Sequence, residues 1–206
     1  MTHRRVARRT SGAASLGSAG WTMTELLVVL AVAGLVIGIG APLTAQMKDE
    51  GRARQAAGFV SSRFRAARQQ AVAEERSIGI VFDPQGAGWA FRVCADGNGN
   101  GIRRAEVLSG VDACGEGPFV FETLFPGVTI DVDLFVIGPD GETAMTDPVR
   151  FGQSDIASFS PAGSCTAGSL FVRSAQGTQY VIRVAGVTAR TRVLKYHALE
   201  QTWKDA

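Results

Sequence analysis

The residues able to act as nucleophiles, acids, bases or ligands are few in this chain and poorly grouped. Only two histidines occur in 206 residues. His3 lies in an arginine-rich head, and His197, near the other end, reads as a surface residue. Serines and aspartates are scattered without a triad-like setting, and no phosphate loop or pair of catalytic carboxylates is present. Asp131 and Asp133 alternate along VTIDVDL, which reads as the wet face of a strand. Asp96-Gly97-Asn98-Gly99-Asn100-Gly101 places oxygen side chains at alternate positions, like the start of a calcium loop. The closing glutamate is missing, because Val107 holds its place and Glu106 stands one residue short. Asn and Gly that tolerate positive φ explain the run as a turn. Cys94 and Cys114 bracket residues 95–113, and outside the cytoplasm such a pair is expected to be oxidised. A bridge closing that loop would stabilise the fold by ~3 kcal/mol. Pairings through Cys165 stay open, and without a CxxC or a nearby histidine no metal site is expected.

Charge divides the chain. Lys and Arg number 21 against 19 Asp and Glu, a net of +2. Arg4, Arg5, Arg8 and Arg9 sit in a head of twenty residues that has no acid. Without them 17 basic residues face 19 acidic ones, a net of −2, so whole-chain charge does not favour nucleic acid. With 46% hydrophobic residues the chain is not a disordered one. Glycine has no three-residue period, and three cysteines are too few for a disulfide-built miniprotein.

The elements follow from the apolar pattern. Leu26 to Leu43 (LLVVLAVAGLVIGIGAPL) carries no charge, and the next charged residue is Lys48. A helix over Leu26–Met47 could span the apolar part of a bilayer, for which ~20 residues suffice. The four arginines before it put the N-terminus in the cytoplasm. An ordinary secretory signal has its apolar stretch before the small residues; here they come first, so a cut after residues 1–20 would leave the helix on the mature chain. Glu25 stands at the lip of the run, where a carboxylate is costly unless paired. Gly34, Gly38, Gly40 and Pro42 weaken the helix. Ala53, Ala57, Val60, Phe64, Ala67 and Ala71 then draw one apolar stripe at spacings of four and three, while the arginines and Glu74 and Glu75 mostly fall off it. Strands are expected at Ser77–Asp83, Trp89–Cys94, Phe119–Glu122, Val128–Leu134, Val149–Gly152, Ser169–Arg173, Thr178–Val184 and Thr191–Tyr196. One long helix followed only by strands predicts an α+β fold, the hydrophobic-then-amphipathic helix packed on antiparallel sheets.

The segment G-WTMTELLVVLAVAGLVIGIGAP resembles the prepilin signature of type IV pilins and type II secretion pseudopilins. The resemblance implies cleavage by a prepilin peptidase after Gly20 and N-methylation of Trp21, where the family usually has Phe. It implies that Glu25 pairs with the amine of a neighbouring subunit in the filament core, and that Pro42 is the helix-breaking proline. Diffuse matches at FRAARQQAVAEERSIGIVFD, CADGNGNGIRRAEV and the stretch from Phe159 to Tyr196 make the chain similar to GspH/FimT-type minor pseudopilins and pilins. The implied organisation is a leader over 1–20, a transmembrane and filament-core helix over 21–47, an amphipathic helix over 48–76, and a periplasmic domain over 77–206. The implied function is a structural, non-enzymatic inner-membrane subunit at the tip of a type II secretion pseudopilus. Its partners would be the peptidase, other pseudopilins or pilins, and the assembly platform; no cofactor is implied. Ala189-Arg190-Thr191-Arg192 resembles the Gly-Arg-x-Arg motif of DNA-binding members, with alanine in place of glycine. On that alternative, a pilus subunit for DNA uptake, Arg190, Arg192 and Lys195 would contact phosphates; a solvated strand edge explains them equally. A membrane-anchored periplasmic domain that never polymerises is the third reading.

Overall fold

A computed structural model describes residues 20–86 and 88–206, without the side chains of residues 39–45. Of the expected leader over 1–20, residues 1–19 lie outside the described residues. The first helix, α1, runs Met23–Ala73. Packing divides the chain between Pro42 and Leu43 into two units.

In the first unit Thr22 starts the helix. Its hydroxyl accepts the Glu25 amide at 3.2 Å. That is the N-cap arrangement, with an acid three residues on. The apolar side chains that follow are exposed around the whole helix: Met23 is 80% exposed, Leu30 59% and Ile37 69%. The helical assignment continues through Pro42, whose side chain is outside the description. Among the described residues no helix is long and apolar enough to cross a membrane. Residues 39–45 of the expected span have no described side chains.

In the second unit α1 buries its stripe. Ala53, Ala56, Ala57, Val60, Phe64, Ala67 and Ala71 are all buried. The helix ends where Glu75 turns to φ 52°. Two antiparallel sheets follow. Strands β1 (Ile78–Gln85), β2 (Gly88–Ala95), β3 (Cys114–Val120) and β6 (Ile156–Phe159) form one, in the order β3-β2-β1-β6. The other has β4 (Val128–Thr129), β7 (Gly168–Ser174), β8 (Gln179–Val184), β9 (Thr191–His197) and β10 (Thr202–Asp205), in the order β10-β9-β8-β7-β4, with β5 (Val149–Arg150) also paired to β7. Short helices α2 (Arg104–Ser109) and α3 (Phe121–Leu124) interrupt them.

Both sheets turn one face to α1. The ring of Phe64 lies 5.6 Å from Phe151, 6.0 Å from Phe159 and 6.5 Å from Phe82. Ile78 and Ile80 from one sheet and Leu170, Val172 and Ile182 from the other complete this core. The alanines bring the helix axis close to the sheets, and Phe64 fills the space where they meet. The opposite faces are covered too. Val132, Val136 and Met145 cover Phe171, Val181 and Leu194; Ile102 and Val107 cover Val81, Cys94 and Ile156. Strands buried on both faces lose strict alternation.

Three expectations are corrected. The chain after α1 is not strands alone, since α2 and α3 are helical. The strand expected at Phe119–Glu122 is β3 over Cys114–Val120, and Phe121 already opens α3. Val128–Leu134 pairs only at Val128–Thr129. Val128, Ile130 and Val132 are buried there, so the side chains alternate, but beyond Thr129 the backbone leaves the ladder to cover the outer face of its sheet. The strands β6 and β10 leave no signal in the sequence; each has four residues, too few to show a period.

Phe64→Ala is expected to lower the unfolding free energy by ~3–5 kcal/mol, read by urea denaturation. Arg65→Ala, next door on the exposed face, should change it by less than about 0.5 kcal/mol.

Candidate functional site

Three regions hold the residues singled out in the sequence. At the start of α1, Gly20, Trp21 and Glu25 are all exposed, with no cation paired to the Glu25 carboxylate among the described residues. An acid in the first turn meets the positive end of the helix dipole, which stabilises the helix start whatever else the residue does.

The second region is the loop that Cys94 and Cys114 close. The two residues face each other across β2 and β3, and their sulfurs are joined. Inside, Asp96 and Asp112 are buried and act on the backbone. Asp96 Oδ1 accepts the amides of Asn98 at 3.1 Å and Gly99 at 2.8 Å, and Oδ2 accepts that of Gly101 at 2.7 Å. Asp112 accepts the amides of Gly97 at 3.2 Å and Arg103 at 2.9 Å. Gly97 is required here, since a Cβ would lie 2.0 Å from the Val111 carbonyl oxygen. Burial pushes the Asp96 carboxyl up, but the amides of Gly101, Gly99, Asn98 and Asn100 outweigh it and hold it below the ordinary range. Asn98 and Asn100 donate their side-chain amides to Glu106 at 3.2 and 2.9 Å. A calcium loop aims its oxygens at the ion. Here the oxygens are taken by amides, and among the described residues no group of His, Cys, Asp or Glu could hold a metal. Arg104 ties the loop to the sheet by donating to the Phe82 and Ser154 carbonyls at 2.8 and 2.7 Å and pairing with Asp83.

The third region is the corner between β8 and β9. Ala189 takes φ 48°, the left-handed region that glycine favours. Its methyl is 4% exposed in the main core, which offsets the strain. Arg190 is exposed and lies before β9, not in it. Arg192 sits opposite Arg183 in the ladder, and each of these like charges has its own acid. Asp205 receives two bonds from Arg192 Nη2, at 2.8 and 3.0 Å, and Asp140 receives Arg183 at 2.6 Å. The Arg192 hydrogen bonds hold the Asp205 carboxyl below its ordinary range. Lys195 pairs with Glu50 of α1. The solvated strand edge expected here is corrected: β10 covers β9 and brings Asp205 with it. Asp131 and Asp133 likewise are not a free wet face, since Arg173 pairs with both, at 3.2 and 3.0 Å. Cys165 stays a free thiol, and burial pushes it up to about 11 against the opposing effect of Arg68.

Sequence reading does not foresee Asp112, Arg104 and Asp205. Asp112 sits two residues before Cys114, and Arg104 lies in a stretch whose only visible signal is the Asn/Gly run. The chain matches no family model, no curated protein and no solved structure.

Two outcomes follow for the loop. Cys94 and Cys114 are 20 residues apart in sequence. Replacing both by serine should therefore lose ~3 kcal/mol of unfolding free energy, measured against the oxidised wild type. The folded Asp96 carboxyl lies below its unfolded value. Its contribution is complete above about pH 4 and is lost as pH falls through the folded value. The unfolding midpoint should therefore drop on acidification below about pH 4. Asp96→Asn should flatten that drop and cost about 1–2 kcal/mol at neutral pH.

Proposed function

We propose that this chain is a minor pseudopilin of the GspH/FimT type. On this reading it is a structural subunit at the tip of a type II secretion pseudopilus, cleaved after Gly20, methylated at Trp21 and held in the inner membrane until it enters the filament. It is a substrate of its peptidase and not an enzyme. The observation that carries the reading is the start of α1: a helix apolar on every side from Leu26 to Ile37, with a single carboxylate in its first turn. A water-soluble helix keeps a polar face. Side chains this exposed need lipid or other apolar helices around them. Glu25 is then the one group in the segment that can set register, through the amine of a neighbouring subunit. Breaking such a buried pair costs ~3–5 kcal/mol.

The Thr22 cap supplies a rival explanation of Glu25, and the choice of variant separates the two. Glutamine at this position can still serve a capping box but carries no charge. Glu25→Gln and Glu25→Ala should both abolish incorporation into filaments in a complementation assay. Normal incorporation of Glu25→Gln would leave capping as the only role. Mass spectrometry of the mature chain should find an N-terminal methyl-Trp21, and an intact Met1 would instead favour a plain anchor. The ion pairs Arg192–Asp205 and Lys195–Glu50 speak against a phosphate-binding patch, so no salt-sensitive gel shift with DNA is expected.

A further inference from the structure

Most arginines of the second unit are matched to acids. Arg63, Arg92, Arg150, Arg173, Arg183 and Arg192 each lie within 3.2 Å of a carboxylate. Arg52, Arg54, Arg65, Arg68 and Arg190 make no ion pair among the described residues, and three of these meet in one groove. Arg65 and Arg68 of α1 lie across it from Arg190 on the β8–β9 corner, and Gln69, Thr188, Ala189 and Thr191 complete a cavity of about 530 Å³. The lining holds three guanidiniums and no carboxylate. Among the described residues none of the three makes an ion pair.

The groove is also built. Arg68 Nε donates to the Gly163 carbonyl at 3.2 Å. That bond fixes the side chain while leaving its other donors. Arg190 follows Ala189, whose methyl is locked in the main core. Thr191 stands partly exposed at the groove wall, while its Oγ1 is turned into the protein. Like charges gathered with no acid in their lining are unfavourable, and Asp205, which feels the Arg190 charge, is already held by Arg192. A ligand bringing oxyanions relieves that repulsion.

We infer that this groove docks an acidic segment, a run of Asp or Glu side chains, of a neighbouring protein subunit. Guanidiniums receive carboxylates through paired N–H donors. Two features favour a protein partner over a nucleic acid. No aromatic side chain lines the groove for a base to stack on. The cations that would extend it into a track, Arg192 and Lys195, are held by Asp205 and Glu50. A duplex, by contrast, presents a closely spaced line of phosphate charges along its axis and needs such a track. The neighbour's identity as a filament subunit rests on the proposed function; the chemistry of the groove does not.

The test uses the full-length chain in uncharged detergent micelles, with a fluorescein-labelled hexaglutamate peptide read by anisotropy. Saturable binding that weakens as salt rises is expected, and unlabelled hexaglutamine should not compete. Arg65→Gln with Arg190→Gln should weaken binding by about tenfold or more, with an unchanged thermal midpoint. The single exposed substitution Arg190→Glu carries the same expectation if the double variant is less stable. Absence of binding, or equal binding by these variants, would overturn the inference. So would a single-stranded oligonucleotide that displaces the peptide through the same arginines at lower concentration. The mature N-terminus reads the filament assignment separately. Methyl-Trp21 without peptide binding removes the groove alone; peptide binding by a chain that keeps Met1 upholds the groove and removes the filament neighbour.

Discussion

Packing of one helix face against two sheets is the constraint on which the second unit depends. The stripe from Ala53 to Ala71 is nearly all alanine, so the helix sits close, and Phe64 is the one large residue that reaches the rings of Phe82, Phe151 and Phe159. Those rings come from separate stretches of chain. Docking the helix therefore aligns β1, the segment after β5 and β6 together, and the remaining strands follow through their ladders. With both inner faces committed to the helix, the outer faces need cover of their own. The disulfide loop supplies it for one sheet and residues 130–147 for the other. Neither covering segment has much regular structure, and each is held by side-chain acids in place of a ladder. Asp96 and Asp112 fold the first. Gln179 joins Asp131 and Asp133 in holding the second, donating to the Asp131 carbonyl at 2.8 Å and accepting the Asp133 amide at 3.2 Å.

The distribution of charge follows from the same layout. Strands that bring arginines opposite one another, as Arg183 and Arg192 are, require acids from elsewhere, and the covering loop and the last strand provide Asp140 and Asp205. The groove at Arg65, Arg68 and Arg190 stands out because its lining brings no acid to them. The two units also differ in kind. The second satisfies its apolar surface internally, while the first exposes apolar side chains all round.

Much of the backbone plan was legible from local pattern alone. The 3.6-residue stripe and the short apolar runs bounded by turn residues at β1, β2, β7, β8 and β9 are local, and the sequence displays them directly. The misplacements share a cause. Val128–Leu134 alternates because one face is buried, but burial by a covering loop and burial in a ladder leave the same mark. Phe119–Glu122 is apolar enough for a strand, yet Phe121 turns into α3 to fill the core. The strands β6 and β10 are too short to carry a period.

By itself the sequence determined the helix with its apolar head and buried stripe, the single acid in its first turn, and most strand segments, because each is written in residues a few positions apart. Tertiary structure alone decided which acid meets which arginine. Asp205 reaches Arg192, Glu50 reaches Lys195 and Arg173 reaches both Asp131 and Asp133 from positions well separated in sequence. Ion pairing depends on distance in space, and only the packed sheets set that distance. The same fact left Arg65, Arg68 and Arg190 around one groove with no acid in its lining, an arrangement no local pattern announces.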